Sequence, residues 1–171
     1  MKQILLLRHA KSSWADEGAS DFDRPLAKRG LKDAPLLGKF VRKIGRKPEV
    51  IVCSPAKRAE QTALLFLEAA RCNEDILTWE KDFYFGSPTD YLKAIQRLPN
   101  SIESVLLVGH NPLMETVSSS LVGGSNKISL RMPPAAMVSV SSYSPSWEQI
   151  NWGTCELNWM VIPKVLKEIV D

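Results

Sequence analysis

The sequence predicts an α/β fold: a three-layer α/β/α sandwich around a mostly parallel central sheet with an antiparallel edge. Three observations predict it. Short unbroken apolar runs stand at residues 4–7, 50–53 and 105–108. Each is rich in Ile, Leu and Val and bounded by polar residues, Gly or Pro, which suits strands buried on both faces. Segments with helical spacing lie between the runs, and alternation of strand and helix builds parallel sheets covered by helices. The last third then switches to a two-residue alternation, the pattern of an antiparallel pair.

Taken in order, residues 4–7 are the first strand. Residues 31–44 place Leu36, Leu37, Phe40, Val41 and Ile44 on one helical stripe. After the second strand, residues 57–70 repeat the pattern with Leu64, Leu65 and Leu67, and Ser54 and Pro55 can cap and open that helix. Residues 89–98 carry Leu92, Ile95 and Leu98. Beyond the strand at 105–108, Pro112 opens a helix over 112–121, and Gly123-Gly124 ends it in a turn. Met132-Pro133-Pro134 reads as a rigid turn. Residues 136–142 alternate as a half-exposed strand, residues 149–161 as its antiparallel partner, and residues 163–170 as a terminal helix. No linker divides the chain, so residues 1–171 are expected to form one domain.

Composition narrows the function. A hydrophobic share of 44% and a charged share of 24% are those of a globular protein and exclude a disordered one. No apolar run approaches the roughly 18 residues of a membrane span, so no membrane role is expected. The N-terminal run of about four apolar residues is too short for a secretory signal, which predicts a cytoplasmic protein. A net charge of +3, with one mild basic cluster at 42–47 and no interleaved aromatics, argues against nucleic acid as a partner. Cys53, Cys72 and Cys155 are odd in number and far apart, which suits reduced thiols rather than disulfides or zinc. The five tryptophans are scattered and read as packing residues, with Trp14 the exception because it lies five positions from His9.

The chain has only two histidines, and each follows an apolar strand. His9 ends Ile4-Leu5-Leu6-Leu7-Arg8, and His110 ends Val105-Leu106-Leu107-Val108-Gly109. Ligands of open parallel sheets bind beyond the carboxyl ends of the strands. One such histidine could simply cap its strand; two in matched positions point to one pocket. Arg58 falls in the first turn of the helix after the second strand, where the positive helix end and a guanidinium suit a phosphate. A cation at that end calls for a compensating anion, and so does Arg8 at the end of a buried strand. Arg8, His9, Arg58 and His110 therefore read as one imidazole nucleophile among positive donors, with a protonated His110 and the arginines stabilising a transferring phosphoryl group. No metal-ligand cluster and no Gly-rich nucleotide fingerprint is visible, so neither metal nor cofactor is expected.

At these residues the sequence resembles the histidine phosphatase superfamily, in its short branch of SixA-type phosphohistidine phosphatases. Four blocks carry the resemblance in order: Leu6-Leu7-Arg8-His9-Ala10-Lys11-Ser12-Ser13-Trp14; Asp23-Arg24-Pro25-Leu26 with Arg29-Gly30; Ser54-Pro55-Ala56-Lys57-Arg58-Ala59-Glu60-Gln61-Thr62; and Val108-Gly109-His110-Asn111-Pro112. The resemblance implies a phosphoglycerate-mutase-like fold and His9 as the phosphorylated nucleophile, with Arg8, Arg58 and His110 completing the phosphate pocket and Asn111 beside it. Larger members have Gly where Ala10 stands and Asn where Ala15 is expected. Lys11 or Ser12 would then bind the phosphate in place of that Asn, or Lys11 faces solvent.

Larger members also carry a Glu as general acid, and here Glu80 or Asp82 could occupy that place. An ester phosphatase benefits from such an acid, whereas a phosphohistidine leaves as imidazole, whose conjugate acid has a pKa near ~6.5. The expected substrate is therefore a phosphohistidine on a partner protein, reached through a shallow pocket with no lid after Trp14. A phosphomonoesterase acting on small phosphorylated metabolites is the alternative within the superfamily. A non-catalytic phosphate- or phosphoprotein-binding module is the alternative outside enzymes.

Overall fold

The computed structural model describes residues 1–15, 18 and 20–169. Six strands form one sheet in the order β3-β2-β4-β1-β5-β6: β1 (Lys2–Arg8), β2 (Val50–Cys53), β3 (Leu77–Trp79), β4 (Ser104–Gly109), β5 (Met137–Ser142) and β6 (Glu156–Val161). The first four in that order run parallel, and β5 and β6 are antiparallel to their neighbours. The helices are α1 (Lys28–Lys43), α2 (Lys57–Ala70), α3 (Asp82–Phe85), α4 (Pro88–Gln96), α5 (Leu113–Gly123) and α6 (Pro163–Leu166).

The two-residue period of β1 shows how the layers form. Leu5 and Leu7 point to one face and pack with Leu37 and Val41 of α1 and Ala63, Phe66 and Leu67 of α2. Ile4 and Leu6 point to the other, where they join Tyr91 and Ile95 of α4, Val117 and Leu121 of α5, and Trp147. Both faces are buried, which is why the strand reads as a continuous apolar run.

The antiparallel region departs from expectation. Strand β5 is buried along its whole length rather than half-exposed. It lies between β1 and β6 under helices on both faces, and its serines are satisfied internally. Ser139 Oγ accepts from Asn158 Nδ2 at 3.2 Å, and Ser141 Oγ donates to Asn158 Oδ1 at 3.0 Å. The predicted strand over 149–161 is confined to Glu156–Val161. Its first part is a 3-10 turn at Trp147–Gln149 followed by a turn in which Thr154 Oγ1 accepts from the Asn151 N–H at 2.9 Å. The terminal helix ends at Leu166, and position 170 of the expected range lies outside the described residues. Strand β3, three residues long, had no apolar run to announce it.

Helices α1 and α2 cross closely over the sheet. A Cβ on Gly38 would stand 2.3 Å from the Phe66 carbonyl oxygen, a backbone atom that cannot step aside. We predict that Gly38→Ala destabilises the fold by about 1–3 kcal/mol through overpacking, read as a lowered thermal midpoint; an unchanged midpoint would contradict this packing.

Candidate active site

Three parallel strands end at one level. Arg8 of β1 pairs with Gly109 of β4, and Cys53 of β2 pairs with Val108. The next residue of each strand therefore emerges at the same edge: His9, His110 and Ser54. The His9 N–H donates to the Gly109 carbonyl at 2.9 Å, and the two imidazole rings lie with centroids 5.0 Å apart. A cleft of about 410 Å³ opens above them, and Arg8, His9, Arg58 and His110 all line it.

Each histidine has one nitrogen committed. His9 Nδ1 lies 2.7 Å from the Ala10 carbonyl oxygen. A carbonyl only accepts, so Nδ1 carries the hydrogen and Nε2 keeps its lone pair. The Ala10 peptide is itself clamped, its N–H donating to Thr62 Oγ1 at 3.0 Å on α2. His110 Nε2 lies 2.8 Å from Ser54 Oγ, and its Nδ1 is buried without a partner. Ser54 thus faces His110 instead of capping α2, whose N-cap is Ala56, with Pro55 one residue ahead of it.

Burial pushes the His9 ring down to about 4, with the charges of Arg58, Arg8 and Arg24 adding to the effect and the Ala10 carbonyl opposing it. Burial pushes His110 down to about 3, aided by His9 and Arg58. Both rings are therefore neutral at pH 7 in the free site.

The arginines differ in their partners. Arg58 donates through Nη2 to Asp21 Oδ2 at 3.0 Å and through Nη1 to the Asp21 backbone oxygen. The anion that its place at a helix start required is thus Asp21. Arg8 has no such ion pair: Nη1 donates to the Met132 carbonyl at 2.8 Å, burial lowers its pKa, and the negative field of Glu115 opposes that shift. The Nε atoms of both arginines are buried without hydrogen-bond partners.

Asp21 is the central residue that the sequence reading passed over, with Arg24 and Tyr84 as its partners. Among the described residues lining the cleft it is the carboxylate, and it ties the site together. Its Oδ1 accepts from Arg24 Nε at 3.0 Å and Nη2 at 2.7 Å, and its Oδ2 from Tyr84 Oη at 2.7 Å as well as from Arg58. The Tyr84 hydrogen bond first, then Arg24 and Arg58 against the cost of burial, hold its carboxyl down to about 2. Lying in a loop, it has no periodicity to mark it. The signal that could have found it was Arg58, a cation in want of an anion.

Lys11, Ser12 and Asn111 also line the cleft. Lys11 is exposed, Ser12 Oγ accepts from Arg24 Nη1 at 3.3 Å, and Asn111 Nδ2 donates to the Met132 carbonyl at 3.2 Å. Glu80 and Asp82 do not line it. They follow β3 at the sheet edge, beyond β2, and the Glu80 carboxylate accepts from the Asp82 N–H at 3.4 Å within its own turn. From that stretch the residue reaching the site is Tyr84, whose ring meets the His110 ring edge-on at 5.4 Å. Among the described residues of the cleft, four cationic side chains, Arg8, Lys11, Arg24 and Arg58, face the Asp21 carboxylate, a balance that favours an anionic ligand.

The sequence model of the histidine phosphatase superfamily (branch 1) matches residues 4–82. An uncharacterized chloroplastic protein of Arabidopsis thaliana is 30% identical over 156 residues, covering 86% of this chain and 70% of the relative. The phosphohistidine phosphatase SixA of Escherichia coli is 27% identical over 180 residues, covering 96% of each. The structure of a protein histidine phosphatase SixA complexed with tungstate superposes with a TM-score of 0.82 at 24% identity, over 96% of this chain and 99% of that one, and so has the same fold.

The neutral histidines make stability depend on pH. Their folded pKa values lie below the unfolded value, so below about 6.5 the unfolded chain binds more protons than the folded one. Stability is expected to fall as the pH descends from 7 to 5, above the range where carboxylates titrate. Urea midpoints across that window check it, and His110→Ala should flatten the slope; a level wild-type profile would contradict the assignment.

Proposed function

The chain belongs to the histidine phosphatase superfamily and is a phosphatase, and from that premise we propose that it hydrolyses phosphohistidine on a partner protein through a phospho-His9 intermediate. His9 Nε2 attacks phosphorus on a substrate ring that is protonated at its other nitrogen. The P–N bond breaks with its electron pair going to the ring nitrogen, and the ring leaves as neutral imidazole. Water then attacks the phosphoryl group, the bond to His9 Nε2 breaks, and the proton lost by the water goes to the departing phosphate. His9 returns as the neutral ring hydrogen-bonded to Ala10.

The transferring group needs charge neutralisation and in-line placement rather than covalent help. Donors are at hand in Arg8 Nε, Arg58 Nε and His110 Nδ1, all buried and unpartnered on residues lining the cleft. A phosphate dianion beside His110 favours its protonated form, so the ring that is neutral in the free site takes up a proton as the substrate arrives. Arginines carry the charge here, and the proposed steps use no metal. A binding module would have no use for a nucleophilic nitrogen held in its reactive tautomer.

One observation carries the choice of substrate. Asp21, the carboxylate among the described residues of the cleft, is held down to about 2 by Tyr84, Arg24 and Arg58 and has no proton to give at neutral pH. An alkoxide leaving from a phosphate ester needs that proton; an imidazole, with a conjugate acid near ~6.5, does not. The cleft suits a phosphoramidate better than an ester.

A phosphohistidine peptide is expected to be hydrolysed with a kcat/KM at least about tenfold above sugar phosphates. The reverse order would instead make the chain a small-molecule phosphomonoesterase. His9→Ala should abolish turnover without altering the circular dichroism spectrum, and Arg58→Ala should lower the rate about 10²-fold or more, as for loss of one charge-stabilising donor.

A further inference from the structure

We propose that Trp14 is the specificity platform of the cleft, stacking on the flat ring that carries the phosphoryl group. The inference rests on the phosphohistidine reading and names the residue that would recognise the ring. Trp14 lines the cleft, yet its side chain is 70% exposed. A tryptophan so exposed contributes little to the core, and most of the cost of leaving it in water remains.

The indole is nevertheless held. The Arg24 guanidinium lies 3.4 Å from its ring centroid. Arg24 is buried and pinned at three points, by two bonds from Nε and Nη2 to Asp21 Oδ1 and by one from Nη1 to Ser12 Oγ. Asp21 in turn holds Arg58 through its other oxygen. One connected network therefore fixes both the indole at the rim and a guanidinium that faces the phosphoryl group. A ring bonded to that phosphoryl group has to emerge toward the rim.

An imidazole has the shape for this contact. It is planar, and as an N-phosphoryl imidazolium it carries positive charge that the face of an indole attracts. A sugar phosphate offers no such surface, so the platform would separate phosphohistidine from metabolite esters by leaving group, while the phosphate cradle treats them alike. Fixing the indole in advance also lowers the entropy lost when the ring binds.

The test compares two substrates with the same bond to break. Phosphohistidine and inorganic phosphoramidate both present a P–N bond, but only the first has a ring. Trp14→Ala should lower kcat/KM for phosphohistidine about tenfold, the scale of one aromatic contact, with the loss in KM. The same variant should leave phosphoramidate within about twofold of wild type, and Trp14→Phe should recover most of the loss on phosphohistidine. Equal losses on both substrates, or none on either, would overturn the platform and leave the phosphohistidine reading intact. A wild-type enzyme that cleaves phosphoramidate but not phosphohistidine would overturn both.

Discussion

The parallel register of β1 against β4 is the constraint on which the site depends. Arg8 sits opposite Gly109, so the two chain segments leave the sheet together and His9 and His110 emerge as neighbours. The side-chain period of a strand is two, and a slip of one residue would turn every inward side chain of β1 to the opposite layer. The apolar alternation that fills both cores therefore also sets the distance between the imidazoles. Gly109 belongs to the same constraint: a Cβ there would meet the Tyr91 hydroxyl at 2.0 Å, beneath the peptide that leads to His110.

Burial then decides the chemistry. Beside buried arginines at the end of a hydrophobic sheet, an imidazolium loses its hydration and gains repulsion, so both histidines stay neutral. Neutrality is what a nitrogen nucleophile requires, and the Ala10 carbonyl selects which nitrogen is free. The Tyr84 hydrogen bond, together with Arg24 and Arg58, holds Asp21 ionised. The carboxylate serves as a clamp shared by Arg24, Arg58 and Tyr84 rather than as an acid. The proposed leaving-group preference rests on this electrostatic state.

What the sequence disclosed was whatever depends on periodicity or local pattern. The central strands are legible because both of their faces are buried, and α1 and α2 because apolar residues recur at helical spacing, although Ile44 and Leu64 of the expected stripes are exposed and α2 packs through Ala63, Phe66 and Leu67. The placement of Arg8, His9 and His110 follows from strand ends, and that of Arg58 from the start of the helix after β2. Strand β5 misleads because Ser139 and Ser141 look like solvent-facing residues while bonding to Asn158 inside the sheet. Strand β3 is too short and too exposed to leave a pattern. Asp21 lies in a loop, and its meaning depends on three partners, two of which, Arg58 and Tyr84, are 37 and 63 positions away. The neutrality of His110 in the free site was not legible because burial is a property of the assembled molecule.

The central claim is that His9 Nε2 becomes covalently bonded to phosphorus. Rapid quenching of turnover in alkali, where a phosphorylated imidazole survives, followed by mapping of the labelled peptide, addresses it directly. Phosphate transiently attached to the peptide containing His9, formed and lost at rates competent for turnover, is the expected result. Steady turnover of a phosphohistidine peptide with no labelled enzyme at any time, and with inversion at phosphorus, would mean that water attacks the substrate in a single step and that His9 is no nucleophile.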